Sequence, residues 1–141
     1  MRLLPPLLLL CLGLLTQAPA RADDRLYQAW GGKPGIRAVM DDFVPRLKAD
    51  PRIGRFFAEV SSRHLAEQLT EQLCQLAGGP CRYEGGDMRA VHEGMGVRAA
   101  DFNALVEQLQ AAMRARGIAF ADQNRMLALL APMHREIVEP R

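Results

Sequence analysis

The chain has 141 residues, with 18 lysines and arginines against 16 aspartates and glutamates, which gives a formal net charge of +2. This near balance, with no clustered basic face, argues against nucleic-acid binding. The length suffices for one domain with its own hydrophobic core, and no internal repeat or low-complexity segment follows residue 22.

The first 22 residues have the layout of a secretory signal peptide. Arg2 precedes an apolar run over residues 3–15, and Ala20-Arg21-Ala22 forms a small-x-small cleavage site. The run is shorter than the roughly 20 apolar residues that a membrane span needs. We therefore predict cleavage after Ala22, a mature chain over residues 23–141 with no membrane attachment, and export to the bacterial periplasm. An uncleaved anchor is the alternative.

The first long helix is predicted over residues 34–49. Pro34 suits a first helical turn, and apolar residues recur on one face of the segment. Pro45 removes a backbone donor, which predicts a kink after Val44. Asp50-Pro51 then predicts the beginning of a short helix that ends near Phe57.

The other predicted helices carry apolar stripes or end at glycines, and they cover residues 62–77, 88–93, 101–116 and 122–138. Pro132 predicts a kink in the last of them. Residues 80–87 form a loop. No segment alternates with the period of a β-strand, so the sequence predicts one compact all-α domain.

Cys74 and Cys81 are the two cysteines of the predicted mature chain. An oxidising compartment favours a disulfide between them, and the short loop limits the stabilisation to roughly 2 to 2.5 kcal/mol. Their spacing is a poor zinc signature and is not the Cys-x-x-Cys-His motif of covalent haem attachment. The alternative is a pair of free buried thiols.

The sequence offers few other chemical groups. No Gly-x-Ser-x-Gly motif accompanies a histidine, and no strand precedes a phosphate-binding loop. His92 stands at a predicted helix end among apolar helices. A haem needs only one axial imidazole from the protein, because the porphyrin supplies four nitrogens. Phe43, Phe57, Leu65, Leu69, Met88, Phe102 and Val106 could form the apolar slot. From the residues alone, a helix-end histidine with no ligand role stays open.

Six stretches occur in a distinctive order, and they are LYQAWGGKPGIRAVMDDF, ADPRIGRFF, LAGGPCRYEGGDM, VHEGMGV, DFNALVEQL and LALLAPMHREIV. Through them the chain resembles the group I truncated haemoglobins from about residue 26 to residue 138. The paired glycines Gly31-Gly32 and Gly78-Gly79 and the His-x-Gly-x-Gly-apolar string carry most of the likeness.

The resemblance implies a truncated globin fold, a two-over-two helical sandwich around non-covalently bound haem b. It places the proximal iron ligand at His92, a haem-contacting phenylalanine at Phe57, and the residue before the family's distal tyrosine at Phe43. The haem-contacting residues that we predict on this basis are His92, Phe43, Val44, Phe57, Leu65, Gln68, Leu69, Leu73, Met88, Phe102 and Val106.

The chain departs from the family pattern on the distal side. Val44 stands where many members carry a tyrosine that donates a hydrogen bond to oxygen, and Leu65 and Leu69 replace polar residues. Gln68 is the remaining polar candidate, and Gln72 is predicted on a solvated face. A lost hydrogen bond of roughly 1.5 to 3 kcal/mol predicts fast oxygen release, easier autoxidation and a smaller effect on CO.

Three further residues receive weaker predictions. His64 is predicted to point outward near the haem edge, with a sixth-ligand role as the alternative. His134 is predicted to be exposed or to act as a charge partner at a helix end. Tyr83, in the loop before the proximal helix, is predicted to serve packing.

The predicted function is reversible binding of a diatomic ligand: oxygen, nitric oxide or CO. The alternatives are a nitric oxide dioxygenase or peroxidase-like haem enzyme, a haem-based redox or gas sensor, and a helical interaction domain without haem. The predicted partners are the gas ligand and an electron donor that the sequence does not identify. A monomer or weak dimer is expected.

Overall fold

The structure, a computed structural model, describes residues 23–140, so the predicted signal peptide lies outside the described residues. The α-helices are α1 (Arg25–Ala29), α2 (Gly32–Ala49), α3 (Ser62–Leu76), α4 (Met88–His92), α5 (Ala99–Ala115), α6 (Phe120–Leu130) and α7 (His134–Ile137). Two 3-10 helices cover Gly54–Phe57 and Ala131–Met133. Within the described range there is no strand, and no helix is long and apolar enough to cross a membrane.

Helix α2 is the centre of the domain. It makes its most extensive packing contacts with α3 and then with α5, while α6 contacts α1, α3 and α5. The buried side chains of α2 are Ile36, Val39, Met40, Phe43, Val44 and Leu47, which recur at helical spacing. They form one hydrophobic core with buried residues of α3, α5 and α6. The all-α prediction is confirmed.

Helix α2 begins two residues before the predicted position. Gly31, with φ of +80°, provides the left-handed turn that leads into it. A Cβ atom on Gly35 would lie 1.9 Å from the Trp30 carbonyl oxygen, so only glycine allows this close approach. The helix continues through Pro45 to Ala49.

Asp50 ends α2 and does not begin a helix. Its backbone amide donates to the Arg46 carbonyl, and its carboxylate accepts a hydrogen bond from the Arg52 amide at 2.9 Å. The predicted short helix is the 3-10 helix Gly54–Phe57, which begins after this turn. An aspartate before a proline is thus compatible with a helix end as well as with a helix beginning.

The last predicted helix is divided into three pieces: α6, a 3-10 helix and α7. Pro132 lies in the 3-10 helix, where its missing amide removes one helical hydrogen bond. Helix α7 packs against α4. Glu139 continues this contact, because its amide donates to the Val97 carbonyl at 2.9 Å and its carboxylate accepts from the Gly96 amide at 2.9 Å.

Helices α3 and α4 begin with the same kind of cap. The Ser61 hydroxyl accepts a hydrogen bond from the His64 amide at 3.3 Å, and the Asp87 carboxylate accepts one from the Ala90 amide at 3.0 Å. Helix α4 ends at His92, one residue before the predicted end. These two helices form opposite walls of the cavity described next.

Candidate functional site

A largely apolar cavity of about 480 Å³ lies between α3 and α4, with α2, α5 and the C-terminal segment completing its wall. This volume falls within the range of roughly 300 to 1,000 Å³ that is common for small-molecule and cofactor sites. All but one of the predicted haem-contacting residues lie in its wall. The residues that do so are His92, Phe43, Phe57, Leu65, Gln68, Leu69, Leu73, Met88, Phe102 and Val106.

Val44 is the exception. It is 1% exposed and lies in the hydrophobic core, while its neighbour Phe43 lines the cavity. The position that the resemblance assigns to a distal tyrosine is therefore occupied here by a short side chain that packs into the core. The cavity receives no polar group from Val44.

His92 is the last residue of α4, and a local hydrogen bond fixes its ring. Its Nδ1 atom lies 2.7 Å from the Met88 carbonyl oxygen, so Nδ1 carries the proton and donates. In this tautomer Nε2 has a free lone pair, and among the described residues Nε2 makes no hydrogen bond. The half-buried ring lines the cavity. A backbone carbonyl that orients a histidine in this way is typical of metal-ligating imidazoles.

The facing wall is one side of α3. Leu65, Gln68 and Leu69 line the cavity and are half-buried, and Gln72 follows one turn later. The prediction that Gln72 is solvated is wrong, since it is 8% exposed. Its amide nitrogen lies 3.6 Å from the Met88 sulfur atom and 3.8 Å from that of Met133.

His64 and His134 differ in solvent exposure. His64 is exposed and lines the cavity rim, in agreement with the predicted outward position. His134 is half-buried, and its ring stands edge-on to Phe102 with the ring centroids 5.0 Å apart. The prediction of an exposed or charge-pairing His134 missed this aromatic contact. The reason is that Phe102 lies on α5, far away in the sequence.

Tyr83 packs in the segment between α3 and α4, as predicted. Its hydroxyl donates to the Gly86 carbonyl at 3.1 Å, and its amide donates to the Gln75 side-chain oxygen at 2.7 Å. Burial raises the pKa of the Tyr83 hydroxyl. The residue also lines the cavity, so it contributes to the wall.

The predicted disulfide is present. Cys74 on α3 is bonded to Cys81 in the following segment, with the two Cα atoms 5.7 Å apart. Cys74 is fully buried and Cys81 is half-buried. The bond therefore joins one cavity wall to the segment that leads to the other.

Sequence reasoning missed several apolar residues of the wall, among them Leu105, Leu109, Leu130, Met133 and Ile137. Leu105 and Leu109 belong to a helical stripe that was visible in the sequence. Leu130, Met133 and Ile137 also belong to the apolar stripe of the last predicted helix, but a stripe does not indicate which of its residues line a cavity.

The donors in this cavity suit a metal that is already held by a macrocycle. The described part of the chain has no cluster of three or more His, Cys, Asp or Glu residues that could hold a metal ion without further ligands. One imidazole with a free Nε2 atom and an apolar enclosure are what a haem requires from a globin. His92 could ligate the iron, and Leu65 and Leu69 of α3 line the same cavity.

Comparison with known proteins gives consistent matches. The family described as bacterial-like globin matches residues 25–139. A group 1 truncated haemoglobin of Tetrahymena thermophila is 30% identical over 98 residues, which cover 70% of this chain and 81% of that protein.

Comparison with solved structures also gives truncated haemoglobins. The truncated haemoglobin of Tetrahymena pyriformis in its Fe(III) form is 28% identical, with a TM-score of 0.78, over 82% of this chain and 98% of that one. The 2/2 haemoglobin of Synechococcus, with covalently attached haem, shares the fold at a TM-score of 0.75 and 21% identity, over 80% of this chain and 97% of that one.

The fold, with one histidine on the short helix α4, is that of a globin. The family match covers nearly all of the described residues. The chain belongs to the bacterial-like globins and, within them, to the group 1 truncated haemoglobins. The predicted family and the two-over-two fold are confirmed.

Proposed function

We propose that this chain is a haem b protein that reversibly binds a diatomic gas, with His92 as the proximal ligand of the haem iron. The observation that carries the proposal is the 2.7 Å contact from His92 Nδ1 to the Met88 carbonyl, which leaves Nε2 free on a ring lining the 480 Å³ cavity. Ferrous haem supplies an open coordination position at which oxygen, nitric oxide or CO binds.

The side chains around His92 give the cavity an apolar wall. Phe57, Phe102 and Val106 line it together with Met88, and all four are apolar. Their burial against a porphyrin would stabilise the complex at roughly 25 cal/mol per Å² of apolar surface removed from water. We propose non-covalent attachment, because neither cysteine of the described chain has a free thiol that could form a thioether with the haem.

The distal wall would give a bound gas few hydrogen bonds. Leu65 and Leu69 have no donor, and Val44 lies in the core. Gln68 is the half-buried amide nearest to them in the sequence of α3, and we propose it as the polar distal residue. This composition supports fast oxygen release, since a donor that would hold oxygen is worth roughly 1.5 to 3 kcal/mol where the acceptor carries charge.

An optical experiment tests the proposal. The chain is expressed with a haem supply, and spectra are recorded in the ferric, ferrous and CO-bound states. We expect haem to be retained, CO to bind and light to release it. Extraction with acidified butanone should move the haem into the organic phase; haem that stays with the polypeptide would overturn non-covalent attachment. A purified, folded chain that holds no haem would overturn the whole proposal.

The same preparation separates gas binding from catalysis. Oxygen-loaded protein is mixed with nitric oxide and a supplied reductant, and nitrate is measured over repeated turnovers. We expect at most one stoichiometric conversion, because the apolar distal wall shortens the time for which oxygen stays bound. Sustained nitrate formation would instead show a nitric oxide dioxygenase.

We also propose that the chain is exported and cleaved after Ala22. The support is the arrangement of residues 1–22 together with the Cys74–Cys81 disulfide, since disulfides persist in oxidising compartments. Expression of the full chain in a Gram-negative host should yield periplasmic protein whose N-terminal residue is Asp23. An intact N-terminus in the cytoplasmic fraction would contradict export.

A further inference from the structure

The segment over residues 77–87, which we call the strap, connects the two walls of the cavity. It leaves α3 after Leu76 and ends at Asp87, the cap of α4. Tyr83, Gly85 and Gly86 in the strap line the cavity. The strap is therefore part of the cavity wall and also the piece of chain that positions the helix carrying His92.

The disulfide is the covalent tie between the strap and α3. Cys74 directly follows Leu73, which lines the cavity, and Cys81 lies two residues before Tyr83. The tie is tightly packed, because a Cβ atom on Gly79 would lie 2.7 Å from the Cys74 sulfur and 2.4 Å from the Tyr27 ring. The first residues of the strap are held to the end of α3 by backbone hydrogen bonds, including that from the Gly79 amide to the Cys74 carbonyl at 2.9 Å. Beyond Cys81, the described anchor on α3 is the 2.7 Å hydrogen bond from the Tyr83 amide to Gln75.

Helix α4 has little stability of its own. It has five residues, and none of them is buried. Isolated helices shorter than about 12 residues are marginal in water, so neighbouring structure must hold α4 in place. On one side that structure is α7, and on the other it is the strap. A looser strap would let His92 move relative to α3.

We propose that the Cys74–Cys81 bond is a redox-sensitive site that sets how tightly the chain retains its haem. The inference rests on the proposed function, because it requires haem to bind beside His92. In the oxidised chain the strap keeps α4 at its distance from α3. In the reduced chain residues 80–87 of the strap are held to α3 by the Tyr83–Gln75 hydrogen bond, and the cavity wall opens more often.

The redox step needs a two-electron donor, and a small dithiol supplies it. Its thiolate attacks the sulfur of Cys81, which is half-buried, whereas Cys74 is fully buried. The disulfide breaks, and Cys74 leaves as a thiolate and takes a proton. The second thiol of the reagent then displaces Cys81, which is also protonated, and the reagent ends as a cyclic disulfide.

Haem loss is the measurement. Chains are prepared oxidised or reduced with dithiothreitol, loaded with haem, freed of reagent under argon and mixed in the ferric state with excess apomyoglobin. In the mature chain over residues 23–141, which lacks Cys11, thiol titration should find none and two free thiols, respectively. Closing a loop of this length is worth at most ~70-fold in an equilibrium, so we expect haem transfer to be about 3- to 70-fold faster from the reduced chain.

The double variant Cys74→Ala with Cys81→Ser is the matched control. It should lose haem at the reduced rate and show no response to dithiothreitol. Equal transfer rates from oxidised and reduced wild-type chains would overturn the inference and leave the proposed function intact. Failure of both forms to take up haem would instead refute the proposed function. The wild-type comparison decides the matter even if the double variant does not fold.

Discussion

The two walls of the cavity differ in how they are held. Helix α3 has 15 residues, contains five buried side chains and packs extensively against α2. Helix α4 has five residues, has no buried side chain, and contacts α7. The wall that faces the ligand site is thus part of the hydrophobic core, while the wall that carries His92 depends on its cap, the strap and the C-terminal turn.

Because α4 has so little support of its own, its formation and the orientation of the His92 imidazole are one event. The bond from His92 Nδ1 to the Met88 carbonyl joins the last residue of α4 to the first, so it exists only when the helix is formed. Changes in α4 should therefore alter cofactor retention, whereas changes in α3 should alter ligand chemistry or global stability.

The largest effect is expected for His92→Ala. Removal of the imidazole should abolish stable haem binding or change the ferrous spectrum completely, because no second described histidine lies on α4. His64→Ala, on the opposite wall and at the rim, is the matched control and should keep the wild-type spectrum. Ferrous and CO spectra of both variants check this. A wild-type spectrum in His92→Ala would assign the iron to another residue.

A donor added to the α3 wall should change oxygen release and leave haem retention alone. Leu65→Gln places an amide in the cavity wall, and we expect oxygen to dissociate about 10- to 150-fold more slowly. Leu65→Met, similar in size and apolar, should stay near the wild-type rate. Stopped-flow oxygen dissociation is the measurement, with CO dissociation, which should change less, as the internal reference. Equal oxygen rates in all three proteins would exclude Leu65 from the ligand side.

The two helix caps test whether α4 is held less firmly than α3. Asp87→Ala and Ser61→Ala each remove one side-chain cap, at a cost of about 1 kcal/mol. Asp87→Ala should raise the rate of haem transfer to apomyoglobin about fivefold, since α4 has little else to hold it. Ser61→Ala should lower the melting temperature with little change in haem transfer. Similar transfer rates for the two variants would mean that the walls are held equally well.

The smallest effect on the cavity is expected for Asp50→Asn. Asp50 is buried between α2 and α5, where the Arg52 guanidinium and backbone amide, and then Gln108, hold the pKa of its carboxyl well below the usual range. A depressed pKa stabilises the fold above the unfolded value of about 3.9, and this stabilisation is lost as the pH falls below it.

Asp50→Asn should therefore lower the melting temperature at pH 7, and the difference from wild type should shrink below about pH 4. Haem transfer at pH 7 should stay near the wild-type rate. Thermal unfolding between pH 3 and pH 7 checks the first expectation. A difference that is constant across this range would show that the carboxylate charge has no part in it.

The sequence predicted the long helices and most of the cavity wall because both depend on local spacing. Helices α2, α3 and α5 carry apolar residues at helical intervals, and these stripes include Phe43, Leu65 and Phe102. The assignment of His92 came from the ordered likeness to a family, since its position at a helix end was compatible with a residue of no function.

The features that the sequence did not predict depend on distant contacts. Helix α1 has no buried residue, and its Tyr27 amide donates to the Ala77 carbonyl at 3.1 Å. Gln72 is covered by Met133, 61 residues away. Val44 aligned with a ligand-facing position, yet the packing of α2 places it in the core. In each case, a partner elsewhere in the chain decides the outcome.

The packing of the C-terminal turn on α4 has a consequence for the order of assembly. Met133 and Ile137 line the cavity, and Glu139 is bonded to Gly96 and Val97 just after α4. During folding the cavity therefore stays open on that side until the C-terminal turn has packed against α4 and the segment after it. Haem can be enclosed only after this last contact has formed.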